Sequence, residues 1–118
     1  KANEVAVGEV VGDVDGRVCL LVDDMIDTAG TICQAAAALK QFGAKAVIAA
    51  ATHPVLSGPA VQRLNESAFE EVIVTNTLPI SDDVNIPKLT VLSLAPLLAQ
   101  AIQAVFEEGS VASLFHGH

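Results

Sequence analysis

Hydrophobic positions along this chain fall into short unbroken runs that alternate with stretches of helical spacing. Val18-Cys19-Leu20-Leu21-Val22 is such a run, of the kind that forms a strand buried on both faces, and it ends on the paired carboxylates Asp23 and Asp24. From Ile32 the spacing turns helical, with Ile32, Ala35, Ala36, Leu39 and Phe42 on one face and Gly43 as a stop signal. Residues 46–51 form a second apolar run, so residues 18–51 read as a β-α-β unit with parallel strands. Ser57-Gly58-Pro59 opens a short helix with Pro at its first position and Ala60, Val61 and Leu64 on its apolar face. Residues 71–75 are a third strand. The stretch 76–88, with Pro79, Ser81-Asp82-Asp83 and Pro87, is loop chemistry, with Asp82 and Asp83 in a solvated turn. A fourth strand at 89–93 leads into a helix that Ser93 caps, with Leu94, Leu98, Ala101, Ile102 and Val105 along one face. Residues 8–17 read as irregular or weakly extended, and no repeat divides the chain. The pattern predicts one α/β domain, a parallel sheet flanked by helices.

The connection after the first run carries the chemistry. Asp23-Asp24-Met25-Ile26-Asp27-Thr28-Ala29-Gly30-Thr31 sits between a predicted strand and a predicted helix, and its small residues let backbone wrap closely around a ligand. Free N–H groups and the positive dipole end at a helix start favour a phosphate, by about 0.3–1 kcal/mol per well-placed interaction. The carboxylates cannot serve that phosphate. They suit sugar hydroxyls or a hydrated divalent ion, so the inferred ligand is a phosphorylated sugar. Asp23 and Asp24 are candidates for hydrogen bonds to ribose hydroxyls, with Asp23 also a candidate contact to magnesium. Asp27, at the helix entrance, is either an anionic cap or a catalytic base with its carboxylate toward the ligand or its waters. His53, in Thr52-His53-Pro54, ends the second strand at the same sheet edge, where open α/β sheets bind ligands, and reads as a ligand contact or a local hydrogen-bonding residue.

Composition narrows the function classes. The chain has 118 residues, 52% of them hydrophobic, with four Phe and no Tyr or Trp, so its core must be aliphatic. A formal charge of −8 with only six Lys and Arg argues against nucleic acid as a partner. The apolar runs fall short of the ~20 residues that span a bilayer, and Lys1-Ala2-Asn3-Glu4 shows no signal-peptide pattern; no membrane partner and a soluble, cytoplasmic protein are expected. Cys19 and Cys33 lack a ligand-like spacing and read as reduced packing residues. An acidic domain that grips a sugar phosphate needs positive charge from a metal ion or from another part of the protein.

The Asp-Asp-x-x-Asp-Thr-Ala-Gly-Thr loop resembles the ribose 5-phosphate signature shared by phosphoribosyltransferases and ribose-phosphate pyrophosphokinases. The likeness to the pyrophosphokinases extends further, through Gly12-Asp13-Val14-Asp15-Gly16-Arg17, Ala51-Thr52-His53-Pro54, Ser57-Gly58-Pro59-Ala60, Thr77-Leu78-Pro79 and Ser110-Val111 with Leu114-Phe115. The resemblance implies the C-terminal domain of that family over residues 1–118, in a type I phosphoribosyltransferase-like fold, with 1–17 as the end of a catalytic loop and its lead-in. It implies binding of ribose 5-phosphate by Asp23, Asp24, Asp27, Thr28, Ala29, Gly30 and Thr31, and transfer of diphosphate from ATP, with magnesium, to make phosphoribosyl pyrophosphate and AMP. It places the basic catalytic residues upstream of Lys1 and the ATP site in an N-terminal domain, so no catalytic residue is expected within this chain, and it implies a homo-oligomer, a hexamer in the full-length family. Ser110 matches the first serine of a regulatory phosphate site, but Ala112 stands where the family has the second, with Ser113 one position on. The same loop also fits a phosphoribosyltransferase domain or a non-catalytic regulatory paralogue.

Overall fold

The computed structural model describes residues 12–107, and within them every strand is parallel to its neighbours. Strands β1 (Val18–Ile26), β2 (Ala46–Pro54), β3 (Glu71–Thr75) and β4 (Leu89–Leu92) lie side by side in chain order. Helix α1 (Gly30–Gln41) joins β1 to β2, α2 (Ala60–Glu66) joins β2 to β3, and α3 (Ala95–Phe106) follows β4. The expected α/β class and its parallel sheet are observed, and the third strand falls on its predicted residues. Three boundaries move toward the ligand edge, the ends of β1 and β2 and the start of α1. β1 runs past the paired acids because pairing with β2 continues through Met25↔His53 and Ile26↔Pro54, and α1 starts two residues before the periodicity does, at Gly30.

Why the first crossover folds tightly is visible at the end of α1. The N–H groups of Phe42, Gly43 and Ala44 donate to the carbonyls of Ala38, Lys40 and Leu39 at 3.0 Å each, which satisfies the last turn. Gly43 has φ 101°, and a Cβ there would meet the Asp15 side chain and lie 3.3 Å from the Asp15 Cα, so only glycine permits this turn against the lead-in segment. Gly16 then donates to the Gly43 carbonyl at 2.8 Å and Lys45 to the Arg17 carbonyl at 2.8 Å, setting the register in which β2 begins.

The core lies on one side of the sheet. Val47, Ala49 and Ala51 of β2 and Val72 and Val74 of β3 pack with Ala36 of α1, Ala60 and Leu64 of α2, and Ile26, Phe69 and Ile86. Alanines at the centre let both helices approach the strands closely. The other side differs from the expectation of a first strand buried on both faces. Val18, Leu20 and Val22 are 59%, 58% and 73% exposed, and Leu92 of β4 is 54% exposed; α3, for its part, has no buried residue. An unbroken apolar run reports that a strand is made to be covered on both faces, and among the described residues only one cover is supplied.

Candidate sugar-phosphate site

A cleft of about 260 Å³ opens at the C-terminal edge of β1, lined by Asp23, Met25, Asp27, Thr28, Ala29, Gly30, Thr31 and Ile32. It lies where β1 gives way to the start of α1, so the first N–H groups of the helix, which have no acceptor within it, sit at the cleft wall. Ala29 is the turning point. Its φ of 67° places a non-glycine residue in the left-handed region, a conformation that costs of order 1 kcal/mol and persists only where neighbours enforce it. The Ala29 carbonyl then accepts the first helical bond, from Cys33 N–H at 3.2 Å.

The enforcement comes from the segment after β2. Leu56 N–H donates to the Ile26 carbonyl and Ser57 N–H to the Asp27 carbonyl, both at 2.9 Å, which carries the sheet pairing around the corner. Leu56 takes a φ of 53° to do so. The Ser57 hydroxyl donates to Asp27 Oδ1, fixing that carboxylate at the cleft rim. From α2, Arg63 Nη1 donates to the Thr28 carbonyl at 3.1 Å. Neither partner had a clear sequence signal: Ser57 reads as a helix opener, and no motif in the local pattern marks Arg63.

The candidates named from sequence separate into groups. Asp23, Asp27, Thr28, Ala29, Gly30 and Thr31 come together around the cleft, whereas Asp24 is not among its lining residues. Strand alternation sends neighbouring side chains to opposite sheet faces, and β1 is still a strand at these positions, so the two acids are split. Asp24 N–H donates to Asp23 Oδ1 at 2.7 Å. Gly30 is not at positive φ; a Cβ there would instead lie 2.9 Å from Arg63 Nη1, so the absent side chain makes room for the guanidinium. His53 Nδ1 is 2.9 Å from Thr77 Oγ1, a local hydrogen bond at the strand end. Ser110 and residues 1–3 lie outside the described residues.

Among the described residues, no group of three or more His, Cys, Asp or Glu side chains is placed to hold a metal ion. Asp23 and Asp27, both exposed and both on the cleft, offer two carboxylates, which suits a hydrated magnesium ion completed by waters and substrate oxygens rather than an all-protein cage. Cys19 and Cys33 are free thiols. Burial pushes the Cys33 thiol pKa up, against smaller opposing effects of Ser67, Arg63 and Lys88. No helix among the described residues is long and apolar enough to cross a membrane.

A cleft walled by a helix start and two carboxylates at the C-terminal edge of a parallel sheet marks an α/β domain with a ligand site at the sheet edge, and the known proteins it resembles give its family. The family model described as phosphoribosyl synthetase-associated domain matches residues 3–116, and the chain belongs to that family. It is 60% identical over 114 residues to a ribose-phosphate pyrophosphokinase of Streptomyces coelicolor, covering 97% of this chain and 35% of that protein. It is 63% identical over 115 residues to the ribose-phosphate pyrophosphokinase of Mycobacterium tuberculosis, covering 98% of this chain and 35% of that one. The crystal structure of phosphoribosylpyrophosphate synthetase from Mycobacterium smegmatis superposes with a TM-score of 0.78 at 65% identity, over 84% of this chain and 33% of that one. The chain thus spans about 35% of the length of the curated relatives it matches.

Proposed function

We propose that this chain is the ribose 5-phosphate-binding part of a ribose-phosphate pyrophosphokinase, corresponding to its C-terminal domain. The observation that carries the reading is the cleft in which the N-terminus of α1 and the carboxylates of Asp23 and Asp27 face one ligand volume. The helix start with the 28–31 backbone takes the 5-phosphate. Asp23 takes a ribose hydroxyl, and Asp27, held by Ser57, orients the sugar or its bound water.

In the reaction, the 1-hydroxyl oxygen of ribose 5-phosphate attacks the β-phosphorus of ATP, the bond between that phosphorus and the α-phosphate oxygen breaks, and AMP leaves as the hydroxyl proton is lost. Magnesium, when bound, neutralises charge on the transferring diphosphate. This chain's residues fix the sugar so that its 1-hydroxyl is presented, a contribution of orientation. Positive groups and the ATP site come from elsewhere in the longer protein, in keeping with this chain's formal charge of −8. A cytoplasmic homo-oligomer, a hexamer, completes the reading.

The test is AMP formation from ATP, magnesium and ribose 5-phosphate, run on this chain and on the natural polypeptide that carries it. Turnover by the longer polypeptide alone supports the division of labour. Ribose-dependent AMP release by the 118-residue chain alone refutes it. A longer polypeptide that instead releases pyrophosphate from phosphoribosyl pyrophosphate only when a nucleobase is added is a phosphoribosyltransferase, and one that binds ribose 5-phosphate without turnover is a regulatory paralogue.

A further inference from the structure

Arg63 is a cationic side chain that reaches the cradle loop from behind. It belongs to α2, its own N–H donates to the Pro59 carbonyl at 2.9 Å, and its carbonyl accepts the Cys33 thiol at 3.6 Å, so α2 and α1 are joined at this point. Its Nη1 donates to the Thr28 carbonyl at 3.1 Å, and the same nitrogen occupies the space that a side chain at Gly30 would need, 2.9 Å from an ideal Cβ. The Thr28–Ala29 peptide is trans, so its C=O and N–H point in opposite directions. Drawing the Thr28 carbonyl toward α2 therefore turns the Ala29 N–H away from Arg63, toward the cleft that Thr28, Ala29 and Gly30 line and Arg63 does not. The next residue is the one held at φ 67°, a conformation needing external support.

We propose that Arg63 is a positioning residue for the phosphate cradle: its guanidinium clamps the Thr28 carbonyl, so that the Ala29 N–H is presented to the ligand's phosphate, and Gly30 is glycine in order to admit that clamp. The proposal rests on the ribose 5-phosphate reading above and adds to it a residue outside the signature loop. Because the clamp acts on the phosphate end alone, it governs affinity for the sugar phosphate and leaves the ATP side untouched. The positive charge directly behind the loop adds an attraction that ionic strength weakens.

The experiment measures kcat and both KM values of the natural polypeptide for wild type, Arg63→Met and Arg63→Lys, with Gly30→Ala made in the wild-type and Arg63→Met backgrounds. Methionine keeps an apolar stem and removes the donors. Arg63→Met raises the KM for ribose 5-phosphate about tenfold, the scale of one lost charge-assisted hydrogen bond, with kcat and the KM for ATP within about twofold. Arg63→Lys, which keeps a charged donor without the fork, recovers part of the loss. Gly30→Ala, whose Cβ displaces the Arg63 tip from Thr28, raises the KM for ribose 5-phosphate more in wild type than in Arg63→Met, because there the atom it displaces has gone. Equal rises in both KM values, a fall confined to kcat, no rescue by lysine, or additive effects of the two substitutions would each overturn the proposal. A wild-type polypeptide with no affinity for ribose 5-phosphate would overturn the underlying functional reading instead, and is recognised before any variant is compared.

Discussion

The two faces of the sheet present opposite states of completion. On the side of α1 and α2, Val47, Ala49, Val72 and Val74 are wholly buried, and the same helices carry the loop that shapes the cleft. On the other side Val18, Leu20 and Val22 stand more than half exposed, and elsewhere α3, with no buried residue, displays Leu98, Ile102, Val105 and Phe106 at 57–82% exposure. An exposed apolar surface of this kind marks an interaction surface. The contrast teaches that the cradle's scaffold is self-sufficient in packing, whereas the opposite face is written for a covering layer, in keeping with a chain that spans about 35% of its curated relatives.

Core truncation gives the largest separation of the two faces. Leu64→Ala, at a fully buried position of α2, destabilises the chain by about 2–5 kcal/mol, while Leu20→Ala, on a side chain 58% exposed, costs under about 1 kcal/mol. Urea unfolding of both variants checks this. In the natural polypeptide the Leu20 change grows toward the cost of a core truncation if the open face is covered there, and stays small if it is not.

The loop itself is next. Gly30→Val forces Arg63 aside and Asp27→Ala removes the carboxylate that Ser57 holds; both weaken ribose 5-phosphate binding while thermal melting stays within a few degrees of wild type. The glycine change is the more harmful, with a loss of order 1 kcal/mol or more. Melting collapse in parallel with the lost binding would place these residues in the stability of the fold rather than in the site. Third, 2-deoxyribose 5-phosphate binds more weakly than ribose 5-phosphate by about 1–3 kcal/mol, the cost of leaving a polar partner unsatisfied, as competition calorimetry reads it. Equal affinities would assign Asp23 to the metal instead of the sugar.

The smallest effect concerns Cys33. Its thiol pKa is raised chiefly by burial, so the folded state holds the proton more tightly than the unfolded chain does. The associated stabilisation is complete below the unfolded value of about 8.5 and is lost as pH rises through the higher folded value. Iodoacetamide at pH 8 therefore modifies Cys33 more slowly than an unhindered peptide thiol, and unfolding in urea removes the difference.

The fold was largely legible because its strands are apolar runs and its helices keep period, with Gly43 stopping α1 where a Cβ would strike Asp15. The loop was legible through its composition. What composition could not convey is direction: Asp23 and Asp24 are adjacent in sequence, yet a strand that continues to Ile26 points them to opposite faces. The left-handed residue is Ala29 and not Gly30: the alanine is held by neighbours, while at the glycine the Arg63 tip takes the space of a side chain. Those neighbours, Ser57 and Arg63, lie about thirty or more positions along the chain, at separations of 30 and 35, where local pattern has no reach. The open face was misread for a related reason: a sequence run records that a strand is made to be covered, and cannot say which chain segment covers it.

The most direct test of the cradle is a calorimetric titration of this chain with ribose 5-phosphate and, separately, with ribose. The account predicts saturable one-site binding that requires the phosphate and weakens in Gly30→Val. Equal responses to the two sugars, or affinity unchanged in the folded variant, would contradict it.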